Sequence, residues 1–193
     1  TPLSNPYTGD GSSGIYIYGA QLEAGSYGTS YIPTLSAAVT RGADAASKTG
    51  ISSLIGQTEG VVFVDFEFKA YDETAKWIAF AGAGSEYIAL YTDGNFKFIA
   101  EVAIAGAQFN DISLTFSVGQ RYKLALAYKA NDFAFYANGV QIATDNSGIV
   151  PATSRFGLEY NTTNENLTAR TYNQTLLFKT RLTNAELAEL TTI

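Results

Sequence analysis

Two carboxylates in the run EGVVFVDFEFKA, Asp65 and Glu67, stand at i and i+2. On an extended strand that spacing puts both on one face, roughly 6–7 Å apart at ~3.3 Å per residue. Retaining glycoside hydrolysis uses a carboxyl pair about 5–5.5 Å apart, one as acid and one as nucleophile. Two acids in a row do not divide those roles by themselves. They read as polar residues on the solvated face of a strand, and no catalytic residue is assigned.

Sugar recognition asks for flat aromatic faces to stack on pyranose C–H groups and a few polar groups for the hydroxyls. Trp77, the single Trp, follows the polar loop AYDETAK, which holds Tyr71, Asp72 and Glu73. Tyr87 and Tyr91 share one strand face, opposite Ile88 and Leu90. Tyr160, Asn164 and Tyr172 fall in the Asn-rich stretch EYNTTNENLTARTYN, read as a loop region. Each ring alone reads as well as core or interface packing. Collectively, tyrosines beside Asn and Thr mark the rim of a sheet. The candidate ligand-binding set is Trp77, Tyr71, Asp72, Tyr87, Tyr91, Tyr160, Asn164 and Tyr172.

Calcium needs roughly six to eight converging oxygen ligands. Asp93 and Asn95 of the Asp-Gly-Asn turn are the metal candidates, and Asp72 and Glu73 are a second acidic pair. No Asp-x-Asp-x-Asp-Gly loop is present, so the turn reading stands first and no cofactor is required. The 193 residues include no His and no Cys. A Ser-His-Asp triad, a Cys-His dyad, a zinc site built on either residue and a disulfide framework are therefore excluded. Net charge is −6, which argues against nucleic acid and against an anionic membrane surface. No run approaches ~18 uninterrupted apolar residues, so no membrane insertion is expected.

The elements that must position these side chains are strands. Apolar residues make up 46% of the chain, enough for a proper core, and 13 Tyr and 12 Phe tilt it towards β. Val62, Val64, Phe66 and Phe68 alternate with Phe63, Asp65, Glu67 and Lys69. EYIALYTDGNFKFIAEVA reads as a hairpin, with Asp93-Gly94-Asn95 supplying the positive-φ positions of its turn. Asn131-Asp132 and Asn138-Gly139 mark two more tight turns. The clear helix signal comes last. LTNAELAELTT sets Thr183 as N-cap with Glu186 three residues on, a capping box, and Leu187 and Leu190 share the docking face. Ten to thirteen short strands and one late helix describe an all-β antiparallel sandwich, best as a jelly roll.

Two stretches carry a family resemblance. GQRYKLALAYKANDFAFYANGVQIATDNSG (119–148) resembles the central strands of laminin-G-like, concanavalin A-like jelly rolls, with Tyr136, Asn138 and Gly139 matching a Tyr-x-Asn-Gly hairpin. LLFKTRLTNAELAELT (176–191) resembles that family's closing strand and helix. With 59–69 the resemblance covers about residues 45–193 and implies the fold; related jelly rolls often hold one Ca²⁺ at a sheet edge, and the fold hosts lectins, adhesion modules and glycosidases alike. Laminarinase-type members carry Glu-x-Asp-x-x-Glu or Glu-x-Asp-x-Glu on their catalytic strand. Phe63 stands here where the first Glu would be.

Residues 1–44 read as a linker or junction with one strand at 15–22. YGAQLEAGSYGTSYIPT, followed by AAVTRGAD, resembles a junction of tailed-phage tail and fibre proteins, where it leads from a carbohydrate-binding module into a laminin-G-like domain. On that resemblance the strand is the remnant of, or the connection to, an upstream module. TPLSNPYTGDGSSG has neither a basic n-region nor an apolar h-region and is not read as a secretory leader. The expectation is a non-catalytic module that recognises cell-surface glycan on a virion tail or at a cell surface. The alternatives are a ligand-free trimerisation or decoration module and a polysaccharide-degrading glycosidase. A homo-oligomer, a trimer by the fibre resemblance, is the expected assembly.

Overall fold

A computed structural model describes residues 10–22, 31–34, 37–39, 46–71, 73–83, 85–158 and 170–193. The chain divides into two compact units, Thr1–Gly42 and Ala43–Ile193.

The second unit is an antiparallel β-sandwich of the jelly-roll class. Its strands are β1 (Ala46–Thr49), β2 (Glu59–Phe68), β3 (Lys76–Ala83), β4 (Glu86–Thr92), β5 (Phe98–Ala103), β6 (Ala107–Asp111), β7 (Arg121–Lys129), β8 (Phe133–Ala137), β9 (Val140–Asp145), β10 (Arg155–Leu158) and β11 (Arg170–Phe178). One sheet runs β1-β10-β3-β4-β5-β6 and the other β11-β2-β7-β8-β9. A single-turn 3₁₀ segment, Ser52–Leu54, precedes β2, and one helix, α1 (Asn184–Thr191), closes the chain. No described helix is long and apolar enough to cross a membrane.

Alternation decides what each face buries. Val62, Val64, Phe66 and Phe68 meet Ile88, Leu90, Phe98, Val102, Leu124, Leu126 and Phe135 between the sheets. The opposite phase of β2 is not simply solvated. Val61 and Phe63 join Ala125, Ala127, Ala134 and Tyr136 in a second core beneath α1, sealed by Leu187. Small alanines on β7 and β8 let the helix approach closely. The Thr183 hydroxyl accepts from the Glu186 amide at 3.3 Å and the Glu186 carboxylate accepts from the Thr183 amide at 2.7 Å, so the capping box forms as the sequence predicts.

The predicted turns are refined. Asn138 (φ 48°) and Gly139 (φ 83°) are both left-handed, as an Asn-Gly hairpin requires. At the β4–β5 turn the left-handed residue is Phe96 (φ 58°), not part of Asp93-Gly94-Asn95. There the Asp93 carboxylate organises the loop by accepting from the Asn95 and Lys97 amides, and Phe96 takes the reversal while its ring packs on Tyr71 and Phe116.

Two further expectations are corrected. The polar stretch ahead of Glu59 carries no strand alternation, yet β1 lies in it and pairs with β10, from Ala46↔Leu158 to Thr49↔Arg155. ASKT has no apolar alternation because β1 is an exposed edge strand. In the first unit, 15–22 forms no strand. Ile15, Tyr16, Ile17 and Tyr18 are all exposed, the lowest at 79%. An extended run without a neighbouring strand has no ladder to satisfy its backbone. Tyr18 instead meets Tyr31 at 5.6 Å, and the Ile32 amide donates to the Gln21 side chain at 2.8 Å.

Candidate functional site

The outer face of the six-stranded sheet gathers an aromatic cluster around one acid. β3 and β4 pair with Trp77 opposite Tyr91, Phe80 opposite Ala89 and Gly82 opposite Tyr87. β4 and β5 then set Ala89 opposite Glu101, so Tyr87 and Tyr91 stand diagonally on either side of Glu101. The Trp77 and Tyr91 rings lie 4.7 Å apart with a 34° tilt. Trp77 meets Phe80 and Tyr87 edge-on at 5.3 and 5.9 Å. Ala89, with no bulk of its own, leaves the space the rings close over.

Both tyrosine hydroxyls donate to the same oxygen, Glu101 Oε2, from Tyr87 at 2.9 Å and from Tyr91 at 2.5 Å. Glu101 is 9% exposed, while Trp77, Tyr87 and Tyr91 stay half-buried with ring surface still open. Burial, together with the adjacent Glu101 carboxylate, pushes the Tyr87 hydroxyl up to about 12. The same causes, with Tyr87 adding, push Tyr91 up as well. The arrangement offers an aromatic wall beside a carboxylate fixed by two phenols, which suits the C–H face and hydroxyls of a sugar.

A bulge between Trp77 and Ala79 sets the wall in place. β10 pairs only with Ala79–Ala81, so the carbonyls of Trp77 and Ile78 lie beyond its ladder. The other sheet supplies their donors. Arg170 Nη1 reaches the Trp77 carbonyl and the Tyr172 hydroxyl reaches the Ile78 carbonyl, each at 2.8 Å. Tyr172 is thus on β11, not in a loop, and its ring packs on Phe66 between the sheets. It holds the strand that carries Trp77.

Tyr71 is likewise a core residue. Its ring packs on Phe68, Phe96 and Phe116, and its hydroxyl donates to Thr92 Oγ1 and the Asp93 carbonyl. The Asp93 carboxyl sits below its ordinary value. Burial raises it, but the Asn95 and Lys97 amides and the Asn95 side chain outweigh that effect. Asp93 and Asn95 therefore meet as the two halves of a turn. Among the described residues no three Asp or Glu side chains gather as a metal group. Asp72, Tyr160 and Asn164 lie outside the described residues.

The carboxylate pair on β2 separates. Asp65 is 2% exposed, not solvated. It is held by Arg121 Nε at 2.8 Å, by Arg121 Nη2, and by Asn173 Nδ2 at 3.0 Å. Glu67 pairs with Lys69 at 2.7 Å. Phe80 and Glu101 were missed in the sequence. Glu101 was readable as the single acid of the buried run FIAEVA, in phase with Ile99 and Ala103.

No family model and no curated protein matches the chain. Solved structures match it in fold. A sialidase of Trypanosoma rangeli superposes with a TM-score of 0.58 at 16% identity, over 69% of this chain and 22% of the sialidase. The chain thus spans less than a quarter of that enzyme's length. A CBM40 module of a Ruminococcus gnavus IT-sialidase, bound to α2,3 sialyllactose, gives 0.57 at 13% identity over 78% of this chain and 95% of the module. A heptameric SAP-like pentraxin of Limulus polyphemus gives 0.56 at 13% identity, over 77% and 74%. At these identities the likeness is one of fold.

Proposed function

We propose that the chain is a non-catalytic carbohydrate-binding module that recognises a cell-surface glycan on the outer face of its six-stranded sheet. The observation that carries this reading is the half-open wall of Trp77, Tyr87 and Tyr91 around the fixed Glu101 carboxylate. The β2 acids speak against catalysis, since Asp65 and Glu67 are each committed to a cation. The CBM40 module, matched over 95% of its own length and bound to sialyllactose, supports a binding role. The sialidase is matched only over a minor part of its chain. The resemblance of YGAQLEAGSYGTSYIPT to a phage tail-protein junction supports a place on a virion tail or another outer surface, as a homo-oligomer.

A glycan array with the intact chain tests it, paired with Trp77→Ala and Tyr91→Ala. Binding that both substitutions abolish supports the reading. A folded protein that binds no glycan overturns it. A second reading, a structural assembly module, draws on the exposed run Ile15, Tyr16, Ile17 and Tyr18. Light scattering that finds a stable trimer, with no glycan bound, would favour that alternative.

A further inference from the structure

Resting on that reading, we propose that the site takes a neutral or amino sugar through hydroxyl or ammonium donors, and disfavours sialylated, uronic and sulfated glycans. The inference comes from which hydrogens and lone pairs are already committed. Both phenolic hydrogens point at Glu101 Oε2. The Tyr87 and Tyr91 oxygens are left as acceptors. Among the described residues no donor reaches Glu101 Oε1, and it is not one of the wholly buried side-chain oxygens left without a partner, so it keeps surface open to the face. An accessible carboxylate oxygen with no protein donor is free to accept from a ligand or from water. The centre of the face is thus an acceptor triad with a formal negative charge, flanked by an aromatic plane.

An anionic sugar group brought to that triad meets like charge in partly desolvated surroundings. A sugar hydroxyl or ammonium meets a charge-assisted acceptor. The immediate register neighbours of Glu101 are neutral, Ala89 on β4 and Asn110 on β6. Among the described residues the cations of the same face, Lys97 and Arg155, are distant. Lys97 stands four residues along the strand direction, about 13 Å away at ~3.3 Å per residue. Arg155, one residue before Phe156, which pairs with Ala81, lies on the β10 side, with β3 and β4 between it and Glu101. If an acidic sugar were the ligand, Arg155 is the residue that would have to receive it.

The test is an array of matched neutral, amino, α2,3-sialylated and sulfated oligosaccharides, read with the intact chain and with Trp77→Ala, Glu101→Gln and Arg155→Ala. The expected result is at least tenfold weaker binding of each acidic probe than of its neutral counterpart. Glu101→Gln should lower neutral-sugar binding about tenfold and narrow that gap, and Arg155→Ala should change the preference little. The wild-type comparison needs no variant, so a misfolded Glu101→Gln leaves the proposal exposed. Acidic probes bound as tightly as neutral ones, or binding lost in Trp77→Ala but indifferent to Glu101→Gln, overturn the ligand class and leave sugar binding standing. No binding to any probe overturns both.

Discussion

Arg121 stands directly opposite Glu67 in the β2–β7 ladder, yet its guanidinium crosses diagonally to Asp65. Glu67 is left to Lys69 on its own strand. The choice follows burial. Asp65 is almost wholly buried and must be satisfied, whereas Glu67 remains partly in water. The two acids that resemble a catalytic pair in sequence are therefore unequal, and that inequality is measurable.

Asp65→Ala should destabilise the chain by about 1.5–3 kcal/mol, the scale of hydrogen bonds to a charged group. Solvent screening at the half-exposed Arg121 holds the figure below that of a fully buried pair. Glu67→Gln should cost less than about 1 kcal/mol. Urea unfolding followed by circular dichroism gives both numbers, and equal losses at the two positions would contradict the account.

The acid limb of stability should report Asp65. Its hydrogen bonds from Arg121 hold the carboxyl below its ordinary value of 3.8, against the upward push of burial and with help from Asn173. A carboxyl depressed in the folded state adds stability above its unfolded value and loses it as pH falls through the folded one. Stability should therefore drop below about pH 4. Arg121→Ala should flatten that limb in urea midpoints measured across the acid range.

Local signals were legible in the sequence, and non-local ones were not. The Thr183–Glu186 capping box spans four residues, so it could be read outright. The shared face of Tyr87 and Tyr91 needed only the period of one strand. Their meeting with Glu101 depends on the β4–β5 register, which no single strand encodes. Tyr71 and Tyr172 look like rim tyrosines because polar residues flank them. Their rings turn inward because Phe116 and Phe66 offer apolar surface while backbone carbonyls take their hydroxyls.

Gly82 should be irreplaceable at the mouth of the site. A Cβ there would stand 2.3 Å from the Glu86 carbonyl and 2.6 Å from Tyr87 Cα, both backbone atoms that cannot swing aside. Gly82→Ala should cost more than about 1 kcal/mol and displace Tyr87. Weakened glycan binding accompanied by a lower urea midpoint is the expected outcome; an unchanged midpoint would show that the β3–β4 turn yields.

The alkaline limb should report Tyr87. Burial and the Glu101 carboxylate raise its hydroxyl to about 12, above the ordinary 10.0. A group raised in the folded state gives stability that is complete below its unfolded value and lost as pH climbs through the folded one. Absorbance titration at the phenolate band should find a late step towards 12. Tyr87→Phe should remove part of that step.

The last test separates architecture from coincidence in the cluster. Tyr91→Phe removes one donor from Glu101, and Glu101→Leu removes the acceptor of both tyrosines. If the hydroxyls exist to satisfy that buried carboxylate, the two substitutions cannot add. Tyr91→Phe alone should cost about 1.5–3 kcal/mol by leaving Glu101 under-donated. On a Glu101→Leu background the same change should cost far less, a coupling of about 0.5–3 kcal/mol. Trp77 is the single Trp and its ring lies 4.7 Å from Tyr91, so its fluorescence follows unfolding from within the site. Additive losses in this double-mutant cycle would mean that the Tyr91–Glu101 contact contributes nothing to the folded state.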